Sequence, residues 1–190
     1  MNILYLHGFG SEYNSASPKT KMLEKFGSVS GVNIDYTRGF AYVYELVSGI
    51  CLREDIDLLV GTSMGGYTAS HVGAKLGIPF VALNPAVTPH IALHKYTGPD
   101  ITDYTGRKYT LTSDVVDAYP EINTDGCGCV IVELGDEIIP ALQTQWRLDS
   151  VYEVHVLPGG SHRFTDLKTA SKIIGEFSVN SMASYGAVLE

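Results

Sequence analysis

Short apolar runs and longer stretches with helical spacing take turns along this chain. Apolar runs at 2–6, 32–36, 57–60, 79–83, 129–134 and 151–157 are bounded by Gly, Pro or charged residues, which predicts strands. Between them, 19–26, 41–53, 65–76, 140–148 and 166–177 predict helices. Strands that alternate with helices imply an α/β protein whose mostly parallel sheet carries helices on both faces. The run Asp55-Ile56-Asp57-Leu58-Leu59-Val60 opens on charges and then turns wholly apolar, as a strand buried on both faces requires. The alternation lapses over 84–126, a stretch rich in Tyr and Pro that includes Tyr96, Tyr104, Tyr109 and Tyr119. Residues 178–190 are small and polar and read as a loosely held terminus, which leaves 1–177 as one domain.

Candidate chemistry sits at the ends of the expected strands. Val60-Gly61-Thr62-Ser63-Met64-Gly65-Gly66 carries a G-x-S-x-G pattern at a strand-to-helix junction, the setting of a nucleophile elbow. Gly61 and Gly65 stand where a side chain would collide with the neighbouring strand and helix. Two roles suit Ser63 at this point, an attacking hydroxyl or an ordinary helix cap. A nucleophilic serine needs a base, and of six histidines His162 is the best placed, on the glycine-rich turn Pro158-Gly159-Gly160-Ser161-His162 after the strand at 151–157. His155 lies within that strand and His71 within the helix after Ser63. His90 and His94 are four apart, a spacing that suits a metal pair but more commonly marks one face of a surface helix. Asp136 follows the run at 129–134 and could orient the imidazole, with the adjacent Glu137 as its rival. At the other end of the chain, the strand at 2–6 runs into His7-Gly8-Phe9-Gly10, so the amides of Phe9 and Met64 could together form an oxyanion hole. His7 reads as a structural residue that holds this loop.

The order Ser63, Asp136, His162 is that of the α/β-hydrolases. The chain resembles the YqiA-like small bacterial esterases of that superfamily over nearly its whole length. The matching segments are Tyr5-Leu6-His7-Gly8-Phe9, Gly61 to Tyr67, Asn84-Pro85-Ala86-Val87 with Pro89, Tyr104-Thr105-Gly106 with Tyr109, Gly135-Asp136-Glu137, and Gly160 with His162 and Phe164-Thr165. The resemblance implies a three-layer hydrolase without a large cap domain, acting on carboxylic esters or acyl thioesters through Ser63, Asp136 and His162. The stretch at 84–126, where the alternation lapses, occupies the place where larger hydrolases insert a cap, and is expected as an irregular segment that either folds over the strand ends as a wall of the acyl pocket or forms a compact loop away from substrate. Two other functions suit the same fold: a non-catalytic module that binds a ligand or protein, and an acyltransferase using the same acyl-enzyme. The chain departs from the family at Ile138-Ile139-Pro140, which is more apolar, and beyond Phe177.

Composition narrows the field. A chain of 190 residues, 45% hydrophobic, can bury one sizeable core. A formal charge of -8, with no Lys/Arg cluster, argues against nucleic acid as a partner. Arg107 and Lys108 could form a small patch for an anionic substrate, although an ordinary turn explains them better. No run is long and apolar enough to span a membrane, and the N-terminal residues lack a signal-peptide pattern, so a cytoplasmic protein is expected. Three cysteines, two of them in Cys127-Gly128-Cys129, make neither a disulfide framework nor a zinc site. Neither a Walker nor a dinucleotide loop occurs, and no cofactor is expected.

Overall fold

The computed structural model describes the backbone of residues 1–186 and the side chains of residues 1–181. β1 (Asn2–Leu6), α1 (Pro18–Leu23), β2 (Ser28–Gly31), α2 (Phe40–Glu54) and β3 (Leu58–Thr62) form the first half. α3 (Met64–Leu76) follows one residue after β3 and leads to β4 (Phe80–Leu83). The next segment holds α4 (Pro89–Ala92), β5 (Gly98–Thr102), β6 (Lys108–Leu111) and α5 (Ser113–Asp117). β7 (Gly128–Glu133), α6 (Ala141–Leu148), β8 (Glu153–Leu157) and α7 (Leu167–Gly186) complete the described chain. Six strands pair in parallel in the order β2-β1-β3-β4-β7-β8, while β5 and β6 form a separate antiparallel hairpin.

Alternation along the strands sorts the apolar residues into two cores. Leu4, Leu6, Leu59, Phe80, Ala82, Val130 and Val132 pack on the side of α2, α3 and α6. Ile3, Tyr5, Leu58, Val60, Val81, Leu83, Cys129 and Ile131 pack on the side of α1 and α7. Leu58, Leu59 and Val60 are all at most 1% exposed, so the charge-then-apolar run produces a strand with both faces covered. Burying each such side chain contributes about 1.5–3 kcal/mol, and a charge at Leu59 would break the central strand.

Three expectations are corrected. The second strand was expected at 32–36 but lies at Ser28–Gly31. Ile34 and Tyr36 are 3% and 2% exposed; they enter the core from the loop after β2 and the 3₁₀ turn Tyr36–Arg38, whereas the edge strand needs little apolar character. The 84–126 segment, expected to be irregular, contains short helices and a hairpin. The last helix, expected to stop at 177, continues to Gly186, and its Ser178 and Ser181 are buried with their hydroxyls donating to the carbonyls of Gly175 and Ser178. The expected terminus at 178–190 is therefore helical through 186, and 187–190 lie outside the described residues. Among the described residues no helix is long and apolar enough to cross a membrane.

Candidate active site

Ser63 is the single residue between β3 and α3, with φ 56° and ψ -119°. A non-glycine residue holds such a conformation only where its surroundings fix it. Ser63 N donates to Leu83 O at 3.0 Å, and Ser63 O accepts from Tyr67 N at 3.0 Å and Ala86 N at 3.2 Å. Close packing explains the flanking glycines. A methyl on Gly65 would lie 2.0 Å from Leu6 O, and one on Gly61 would lie 2.2 Å from the Gly65 carbonyl. The Ser63 hydroxyl makes no capping bond to α3. Its Oγ lies 3.0 Å from His162 Nε2.

His162 sits on the loop between β8 and α7, and Asp136 on the turn after β7. His162 Nδ1 lies 3.0 and 2.9 Å from the two Asp136 oxygens. An ionised carboxylate only accepts, so Nδ1 carries the proton and Nε2 faces Ser63 as an acceptor. The Asp136 side chain is 1% exposed, and its Oδ1 also accepts the amides of Ile138 and Ile139, both at 2.8 Å. Glu137, the rival carboxylate, is exposed and accepts the backbone amide of His162 at 2.9 Å rather than the ring. That amide holds the Glu137 carboxyl below the usual carboxylate range.

The loop after β1 runs beside the serine, where a methyl on Gly8 would lie 3.2 Å from Ser63 Cβ. His7 fixes this loop. Its Nε2 accepts from Ile34 N at 2.8 Å, so Nδ1 carries the proton and donates to Gly8 O at 2.8 Å. Burial lowers the His7 pKa and keeps the ring neutral. The Tyr36 hydroxyl donates to His7 O at 2.6 Å. Among the described residues, neither the Phe9 amide nor the Met64 amide donates to another protein group.

Ser63 and His162 open into a cavity of about 310 Å³. Phe9, Met64, Ile138 and Ile139 form part of its wall, and Leu93, Tyr96, Ile101, Tyr104 and Tyr109 bring in the 84–126 segment. The Phe9 ring packs against Tyr96 at 5.5 Å and edge-on to Tyr109 at 5.4 Å. Arg107 is tied to Asp103 of its own turn at 3.3 Å and faces Asp35 at 3.7 Å, so its charge is paired within the protein. α4 ends before His94, so His90 and His94 do not share one helical face, and His94 binds Asp117 at 2.8 Å.

Two contributors escaped the sequence reading. Asn84, noticed only as part of the family resemblance, accepts Glu133 N at 2.8 Å through Oδ1 and donates to Ser161 O at 2.9 Å through Nδ2. Glu133, the acidic end of an otherwise apolar run, is fully buried and holds the amides of the His162 loop. The signal in the sequence was a carboxylate where the strand pattern asks for an apolar side chain.

The parallel sheet, the strand-to-helix turn at Ser63 and the absence of a large cap among the described residues define an α/β-hydrolase fold. Solved structures agree on that fold. Est1E from Butyrivibrio proteoclasticus has a TM-score of 0.71 at 18% identity, over 96% of this chain and 88% of that one. The Paleococcus ferrophilus monoacylglycerol lipase has a TM-score of 0.70 at 14% identity, over 95% of this chain and 94% of that one. Residues 2–179 match the uncharacterised protein family UPF0227, and the chain belongs to that family. It is 28% identical over 176 residues to UPF0227 proteins of Yersinia pseudotuberculosis and Yersinia pestis, covering 87% of this chain and 92% of theirs.

Proposed function

We propose that this protein hydrolyses carboxylic ester or acyl thioester bonds through an acyl-enzyme on Ser63. The observation that carries the reading is the continuous contact from Ser63 Oγ through the His162 ring to Asp136, at 3.0 and 2.9 Å. It connects a nucleophile, a base in the right tautomer and a buried orienting carboxylate. In the first half-reaction Ser63 Oγ bonds to the acyl carbon as its proton passes to His162 Nε2. The carbonyl oxygen becomes an oxyanion facing the amides of Phe9 and Met64. The bond to the leaving oxygen or sulfur then breaks, and His162 returns the proton to it. Water attacks the acyl carbon by the same relay and frees Ser63. Asp136 stays ionised throughout and stabilises the imidazolium. The monoacylglycerol lipase among the fold relatives supports the reaction class. The substrate is a small acyl ester or thioester, because the cavity of about 310 Å³ lies at the lower end for small-molecule sites.

The test is hydrolysis of nitrophenyl esters of short acyl groups and of acyl thioesters, together with labelling by a fluorophosphonate. Ser63→Ala is expected to lose both while remaining folded. Turnover equal to wild type in that variant would exclude Ser63 as the nucleophile.

A further inference from the structure

Glu133 is the last residue of β7, lies three positions before Asp136 and has no exposed surface. Alternation along β7 turns its side chain toward the α1 and α7 side of the sheet, with Cys129 and Ile131. A carboxylate buried there is tolerated only if its oxygens are satisfied. They are satisfied by one loop. Oε2 accepts from Ser161 N at 2.8 Å, and Oε1 accepts from Thr165 N at 2.9 Å and Asp166 N at 2.6 Å. The Thr165 hydroxyl adds a contact at 3.3 Å.

These donors flank His162, one residue before it and three and four residues after it. The Ser161 peptide is held at both ends, its N–H by Glu133 and its carbonyl by Asn84 at 2.9 Å. The loop follows the carboxylate closely. A methyl on Gly160 would lie 2.0 Å from Glu133 Oε2, and Gly160 takes φ +79°. An apolar residue at 133 would fill the space but leave the amides of Ser161, Thr165 and Asp166 without an acceptor.

Building on the acyl-transfer reading, we infer that Glu133 is a positioning residue that sets the place of His162 by clamping the loop on both sides of it. The end of β7 and the turn after it then fix the histidine at three points, with Asp136 holding the ring, Glu137 the His162 amide and Glu133 the loop on either side. The 3.0 Å separation of His162 Nε2 from Ser63 Oγ depends on all three. A displacement of about 1 Å at a reacting group can cost roughly 10²-fold in rate. Glu133 touches neither substrate nor the reacting atoms in this scheme, so its effect belongs in kcat and not in KM.

The test compares full-length wild type, Glu133→Ala and Glu133→Gln for kcat and KM on one nitrophenyl ester, for the rate of fluorophosphonate labelling, and for folding by circular dichroism. Glu133→Ala is expected to lower kcat and the labelling rate by about 30-fold or more with KM within about twofold. Glu133→Gln keeps one carbonyl acceptor and is expected to recover most of the loss, staying about three- to tenfold below wild type. A folded Glu133→Ala variant with wild-type kcat, or one whose KM rises as far as kcat falls, overturns the positioning role. If Glu133→Ala does not fold, Glu133→Gln decides, and wild-type kcat in it overturns the role. A wild-type protein without hydrolysis or labelling overturns the acyl-transfer reading itself and this inference with it.

Discussion

Glu137 binds His162 by its backbone, accepting the amide at 2.9 Å, while the neighbouring Asp136 takes the ring. Two adjacent carboxylates thus divide the work on one histidine. Of the two only Asp136 touches the ring, so under the proposed triad Asp136→Asn is expected to lower kcat by about 10⁴-fold, the scale seen when a triad carboxylate becomes an amide. Glu137→Gln keeps an acceptor for the His162 amide and is expected to stay within a few-fold of wild type. Steady-state kinetics on a nitrophenyl ester separate the two. Equal losses would assign the ring-orienting role wrongly.

The conformation of Ser63, φ 56° and ψ -119°, is one that glycine adopts freely. Ser63→Gly and Ser63→Ala should both be inactive, yet the glycine variant is expected to be the more stable by about 1–2 kcal/mol, because it releases the strain that alanine retains. Urea unfolding of the pair measures this. An alanine variant at least as stable as the glycine variant would mean that the turn stores no strain.

The elbow was legible because Gly61 and Gly65 mark backbone contacts that exclude any side chain, and the residues after β7 and β8 because short apolar runs end at them. What stayed hidden depends on tertiary contact. β2 is an edge strand of small and polar residues, and the apolar Ile34 and Tyr36 after it outweigh it in any local pattern. The β5–β6 hairpin is half-exposed, with a register shift between Gly98 and Ile101 that spoils its alternation. Glu133 could be seen as an oddity, but its purpose requires knowing that the loop before α7 folds back over the end of β7.

Burial lowers the pKa of His7, whose ring must be neutral for Nε2 to accept the Ile34 amide. The unfolded chain protonates His7 near pH 6.5 and the folded protein only at lower pH, so the unfolded state binds more protons within that window. The stability contribution is complete above about pH 6.5 and is lost as pH falls toward the folded value, by at most about 1.4 kcal/mol per pH unit. His71, half-buried against Phe40 and Tyr67, shifts the same way and adds to the slope. Urea midpoints taken between pH 7.5 and 5.5 should fall, and less steeply in His7→Gln. An unchanged slope in that variant would remove His7 from the account.

Gly65→Ala sets a methyl 2.0 Å from Leu6 O, a backbone atom of β1 that side-chain rotation cannot relieve. We expect it to destabilise the protein by about 3 kcal/mol and to lower kcat as α3 shifts away from β1. Thermal unfolding and ester hydrolysis measured together test both effects. Wild-type stability would show that the elbow tolerates more separation than its packing indicates.

Phe9 has two parts in the site, its amide in the proposed oxyanion hole and its ring in a cavity wall with Tyr96 and Tyr109. If the cavity holds the acyl group, removing one ring lengthens the chain it accepts. Each additional buried methylene is worth about 0.8 kcal/mol, or roughly fourfold in a specificity ratio. Tyr96→Ala, which vacates several methylenes of space, is expected to raise the ratio of kcat/KM for octanoyl over butyryl nitrophenyl ester by about 10- to 100-fold. Disturbance of Phe9 would slow both esters alike and cancel in that ratio, so the comparison isolates the wall. A ratio unchanged from wild type would place the acyl chain elsewhere and leave this aromatic wall to the leaving group.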